Sequence, residues 1–239
     1  MKRFPALCLL TIFLLLPALS IFAQSEKQVN SHSFTYQYLT TKEGLSNQRV
    51  FSILEDKKGF IWISTRSGVD CFNGRTVKNY SLFGEDIIVD GAGRMIYLTK
   101  DSHETLRAYT SAGKVFKYDP ISDAFTLEID VAKLTESGIF LNNLFIDSSD
   151  RFWFGLKNGL FCYDSTNRHM ENILEKKCIN TLYFSPSDET LYIATTEGLY
   201  ERNQQNGTVT ALLPECYIQS VFYDSTTHLL WIGTFNSGV

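Results

Sequence analysis

Few residues in this chain carry types and spacings suited to catalysis. Adjacent carboxylates occur at Glu55–Asp56 and Glu85–Asp86. Glycoside hydrolysis needs two carboxylates facing one substrate. Neighbours on a strand point to opposite faces, so neither pair reads as an acid–base couple. A polar stretch at 100–112, KDSHETLRAYTSA, offers His103, Glu104 and Arg107. Read as a loop over 99–112, it would present these three groups at a propeller mouth, where loops carry chemistry. The four histidines, His32, His103, His169 and His228, are expected on turns and loops. Asp147-Ser148-Ser149-Asp150 lacks the glycine and distal glutamate of a calcium loop. No G-x-S-x-G, H-E-x-x-H or phosphate-cradling glycine loop occurs. The expectation is therefore no catalytic residue, no metal ligand and no cofactor, with the ligand-binding residues unknown.

Cysteine chemistry is equally sparse. Cys71, Cys162, Cys178 and Cys216 follow the N-terminal leader at spacings that match no zinc site. They read as free buried thiols on strands, although export would permit disulfides.

The elements that must position these residues repeat. The segments 50–69, 141–160, 179–199 and 218–239 share one grammar, with a degenerate copy at 87–98. Two apolar residues three apart lead to Asp or Ser, then turn residues, then Trp or Tyr, then a small residue and a Gly. The turn column reads Asp56, Asp90, Asp147, Ser185 and Asp224. The aromatic column reads Trp62, Tyr97, Trp153, Tyr192 and Trp231. The glycine column reads Gly68, Gly159, Gly198 and Gly238, with Gly113 as a delayed member. A period of about 40 residues with several short strands per unit predicts a β-propeller of four-stranded blades. The aromatic column predicts packing between blades, and the acidic column predicts side-chain caps of turns. A long interval between Tyr97 and Trp153 reads as an insertion at 100–112.

Composition suits this fold: 44% of the 239 residues are hydrophobic and 14% aromatic. A formal net charge of −4 argues against nucleic acid or an anionic membrane surface as partner. Lys2 and Arg3 precede the apolar run LCLLTIFLLL, and cleavage is expected after Ala23. The expected organisation is a signal peptide at 1–23, a linker at 24–33 and a partial propeller at 34–239. Its repeat cores lie near 50–72, 87–118, 141–163, 179–200 and 218–239. That is about four blades and the start of a fifth, all-β, in a periplasmic chain without membrane contact once the leader is removed.

The stretch LTTKEGLSNQRVFSILEDKKGFIWISTRSGVDCF, 39–72, resembles the start of the periplasmic sensor region of hybrid two-component systems from Bacteroides-type bacteria. Leu54, Glu55, Asp56, Gly59, Trp62, Ile63 and Thr65 match the two-component regulator propeller repeat, with Ser64 where Gly155 and Gly233 keep the usual glycine. The resemblance extends over about 34–239. It implies a sensor of glycan fragments, an oligosaccharide ligand and a homodimer in the full-length form. It also implies a membrane helix, histidine kinase, receiver and DNA-binding domain downstream, none of them in this sequence, so no kinase activity is expected of this chain. The alternatives are an exported propeller enzyme acting on carbohydrate, a lyase or glycosidase, and a non-functional gene fragment with an open blade edge.

Overall fold

Runs rich in Val, Ile, Phe, Tyr and Trp, separated by Asp, Ser and Gly turns, form strands throughout. The computed structural model describes residues 36, 38–83, 95–135 and 139–239. The leader, the linker, Phe34, Thr35 and Gln37, and Glu85, Asp86 and Asp90 lie outside the described residues.

The first blade comprises β1 (Val50–Glu55), β2 (Ile61–Thr65), β3 (Gly68–Phe72) and β4 (Val77–Tyr80). The second comprises β5 (Ile96–Lys100), β6 (Leu106–Thr110), β7 (Lys114–Asp119) and β8 (Ala124–Asp130). The third holds β9 (Leu141–Ile146), β10 (Phe152–Leu156), β11 (Gly159–Asp164) and β12 (His169–Glu175). The fourth holds β13 (Ile179–Ser185), β14 (Thr190–Thr195), β15 (Gly198–Asn203) and β16 (Val209–Pro214). A hairpin, β17 (Ile218–Asp224) with β18 (Leu229–Thr234), begins a fifth. Each sheet is an antiparallel meander in chain order, and the first strands of successive blades are neighbours. This is the propeller arrangement expected from the period.

Each hydrophobic core cluster lies between two blades. Trp62, Val69 and Cys71 meet Ile96, Leu106 and Phe116. Tyr109 and Val115 meet Leu144, Phe152 and Phe154. Trp153 and Leu160 meet Ile179, Leu191 and Ile193, and Tyr192 and Leu199 meet Ile218 and Val221. A blade buries its faces only by stacking on a neighbour, so stability is built pair by pair. Trp231, at the aromatic position of the last hairpin, is 51% exposed.

A recurring bulge adds a second link. Register shifts skip Phe51, Asn142, Asn180 and Gln219 near the start of four first strands. Such a bulge re-aims one side chain. Asn142 donates to the Ile179 carbonyl at 2.7 Å, and Asn180 to the Ile218 carbonyl at 2.7 Å, each in the next blade. Phe51 instead packs its ring 6.0 Å from Tyr97, also in the next blade.

The second blade corrects the sequence reading. The stretch 100–112 is not an insertion loop, because Leu106–Thr110 is a buried strand. Ile96–Lys100 is the first strand, so Tyr97 does not belong to the aromatic column. That position is held by Arg107, which follows Asp101 at the spacing by which Trp62 follows Asp56. Gly113 is then in register, three residues after Thr110 as Gly68 is after Thr65. Periodicity missed this because the column holds a cation instead of an aromatic ring. His169 likewise opens β12 and is not in a loop.

The glycine column has a steric cause. At Gly68, φ is +150° and a Cβ would lie 2.2 Å from the Tyr80 carbonyl oxygen of β4. Gly198 repeats this, with φ +150° and the Leu213 oxygen at 2.7 Å. Gly68→Ala is expected to lower the unfolding free energy by about 2–4 kcal/mol. Gly74→Ala, in a turn with nothing within 4 Å of a Cβ, should cost about 1 kcal/mol through φ alone. Urea midpoints of the two variants check the ranking.

Candidate ligand-binding cleft

The β1–β2 turn is locked by one side chain. Asp56 Oδ1 accepts the backbone N–H groups of Lys58 at 2.8 Å and Phe60 at 3.0 Å, and Oδ2 accepts the Trp62 indole N–H at 2.9 Å. The acidic column therefore caps its turn, as expected, and also orients the aromatic column. Asp147 does the same for Ser149, Arg151 and the Trp153 indole, the last at 2.9 Å. Asp101 holds the His103 and Thr105 amides and takes the Arg107 guanidinium at 2.6 Å. In the fourth blade the carboxylate comes from Asp188, which accepts the Tyr192 hydroxyl at 2.9 Å. Ser185, the sequence-level candidate there, is buried and bonds Ser187.

Arg107 is buried, and its Nε donates to Glu128 at 2.7 Å. Its guanidinium lies 5.4 Å from the Phe152 ring centroid of the third blade. It thus fills the inter-blade place that a tryptophan fills elsewhere. Burial by itself raises the carboxyls of Asp56 and Asp101. The indole of Trp62 and the turn amides outweigh burial at Asp56, and the Arg107 guanidinium with the Thr105 amide outweighs it at Asp101. Both carboxyls sit below the ordinary aspartate range.

Between the first and second blades these turns enclose a cleft of about 670 Å³. Its apolar wall comes from Trp62, Leu106, Tyr118 and Pro120. Lys57 and Lys58 reach it from the β1–β2 turn, His103 and Glu104 from the β5–β6 turn, and Lys117 and Asp119 from the end of β7. A neighbouring cleft of about 310 Å³ shares Trp62, Tyr118 and Pro120, and adds Tyr80 and Asp123. The Tyr80 and Tyr118 hydroxyls both donate to Asp123, at 2.7 and 2.8 Å, and Lys78 pairs with it. The Lys78 ammonium, then the two hydroxyls, hold the Asp123 carboxyl well below its ordinary value. Burial, then the bond to Asp123, pushes the Tyr80 phenol well above its own. The Trp62 ring stands 4.8 Å from Tyr118 and 6.0 Å from Phe125.

Of the residues singled out as a candidate catalytic group, His103 and Glu104 line the cleft together, Glu104 being paired with Lys100, while Arg107 is withdrawn into a buried pairing with Asp101 and Glu128. Asp56 is committed to its clamp, and Asp147 pairs with Arg151 and Trp153. His228 sits in the β17–β18 turn, 3.2 Å from the Tyr223 hydroxyl, and His32 lies outside the described residues. Among the described residues no group of three or more His, Cys, Asp or Glu is placed to hold a metal ion. Cys71 and Cys162 are free and buried on β3 and β11, and burial pushes both thiols up to about 11. Cys178 and Cys216 are also free, but they lie half-buried in connections between blades instead of on strands. Lys57, Lys58, Lys117 and Tyr118 were not legible as one site, because they come from turns and strands distant in sequence.

Two stability effects follow from the clamps. Arg107→Ala leaves Asp101 buried without its partner and should cost about 3–5 kcal/mol, read as a fall in the urea midpoint. A carboxyl depressed in the folded state stabilises above its unfolded pKa, near 4, and that stabilisation is lost as pH falls through the folded value. Between pH 6 and 3 the wild-type midpoint should therefore drop, and the drop should be smaller in an Asp56→Asn, Asp101→Asn variant.

Residues 44–67 match the family described as "Two component regulator propeller". Over 67 residues the chain is 40% identical to Histidine kinase P4 of Formosa agariphila, a match spanning 28% of this chain and 5% of that protein. The extracellular domain of a hybrid two component system from B. thetaiotaomicron superposes with a TM-score of 0.64 at 19% identity, over 84% of this chain and 29% of that one. A catalytically inactive virginiamycin B lyase from Staphylococcus aureus superposes at 0.63 and 15% identity, over 85% of this chain and 71% of that one. At these identities the superpositions show the propeller fold alone. The chain spans a small part of the kinase and under a third of the extracellular domain. Its repeat, read together with that fold, makes it a chain that resembles the propeller sensor region of hybrid two-component systems.

Proposed function

We propose that this chain is the ligand-sensing propeller segment of a longer, exported two-component signalling protein whose stimulus is a glycan fragment. The regulator propeller repeat at 44–67 carries the reading. The cleft between the first two blades supports it, with an aromatic wall and polar turns of a size suited to a small saccharide. The segment itself is non-catalytic in this reading, with kinase activity, membrane helix and any dimer contacts supplied elsewhere in the longer protein. A propeller enzyme is the second reading, since the fold shared with the lyase also serves enzymes. Against it stands the engagement of Glu104 by Lys100 and of Arg107 by Asp101 and Glu128.

The test is a saccharide panel scored in three ways: thermal shift of the purified chain, turnover of the sugar, and reporter induction in cells carrying the longer protein. A sensor predicts a shift of a few degrees, as expected for a ligand at many times its Kd. It also predicts induction by the same sugar and no turnover. Turnover by this chain would establish the enzyme reading. Absence of any shift and any induction across the panel would sink the glycan reading.

A further inference from the structure

We infer that the cleft between the first and second blades selects an anionic saccharide, one bearing a carboxylate or sulfate on a sugar-sized ring. The inference rests on the glycan reading above and adds a charge requirement to it.

The ground is an imbalance in what the lining groups already do. All three carboxylates at the cleft have short-range partners. Asp56 holds two turn amides and the Trp62 indole. Glu104 pairs with Lys100. Asp119 accepts the Ser122 hydroxyl at 2.7 Å and the amide of Ile121 at 3.0 Å. The three lysines have none: among the described residues, the ammonium groups of Lys57, Lys58 and Lys117 make no hydrogen bond and no ion pair. Lys58 and Lys117 feel Asp56 and Asp119 only through space. The lining is balanced in formal charge, three lysines against three carboxylates, but the carboxylates are engaged by short-range donors while the three ammonium groups stand open to a ligand's acceptors.

The lysines come from two blades. Lys57 and Lys58 stand on the β1–β2 turn of the first blade, and Lys117 on β7 of the second, so they approach the same cavity from two sides. Between them the accessible apolar surface comes from Tyr118 and Pro120, with Trp62 and Leu106 buried behind it. A sugar ring lays its C–H face on such a wall while its anionic substituent meets the ammonium groups. A neutral sugar would use the wall and leave the cations unpaired.

The experiment is isothermal titration of the purified chain with a sulfated disaccharide, its desulfated form, and inorganic sulfate alone. The comparison protein carries Lys57→Gln, Lys58→Gln and Lys117→Gln, and Lys42→Gln serves as a charge control outside the cleft. Circular dichroism and an unchanged melting curve establish that the triple variant is folded. The sulfated disaccharide should bind about tenfold more tightly than the desulfated one, as expected for a few solvent-facing charge contacts. The triple variant should lose that advantage, Lys42→Gln should keep it, and added salt should erode it. Equal binding of both disaccharides, or an unchanged triple variant, overturns the charge requirement and leaves the glycan reading standing. Binding of inorganic sulfate with neither disaccharide, or no binding by any probe, overturns the anionic-saccharide inference, whereas the glycan reading itself falls only with the saccharide panel above.

Discussion

One hydrogen-bonded clamp recurs through this protein and the rest depends on it. A turn aspartate gives one oxygen to the backbone of its own turn and the other to a large side chain on the next strand. A bond from an indole to an ionised carboxylate is worth more than a neutral one, roughly 1.5–3 kcal/mol. Its larger effect is directional. It fixes the ring that the neighbouring blade must pack against, so the closing of a local turn also sets the inter-blade spacing.

The second blade shows how far the clamp tolerates substitution. Arg107 keeps the bond to the turn aspartate and the contact with the next blade, through its stems and planar head. The change brings a buried cation, and Glu128 joins Asp101 in compensating it. A buried pair of this kind is weak evidence of added stability, yet removal of one partner is costly. The same polar exchange hid the blade from a search for aromatic periodicity.

The cleft between the first two blades is a by-product of the clamp. The Asp56 clamp holds Trp62 inward, and the β1–β2 and β5–β6 turns line the gap beside it. What chemistry the gap offers is decided by turn residues that the repeat leaves free, such as Lys57, Lys58 and His103. Repeat positions therefore set the scaffold, and the positions between them set what the cleft presents. This is the usual division between a rigid framework and variable loops.

The repeat period, the strand-rich composition and the turn chemistry were all legible in the sequence, and with them the blade architecture. Such features are local: an aspartate before a turn and a glycine before a third strand act within a few residues, so a linear reading detects them. The register of the second blade was not legible, because Arg107 resembles a tryptophan only through its bonds to Asp101 and its contact with Phe152. Nor was the cleft, since Lys57 and Lys117 lie 60 positions apart by number and meet only when two blades stack. Sequence by itself determined the elements and their repetition. Tertiary structure decided which residues share a space, because burial between blades joins faces that the chain keeps far apart.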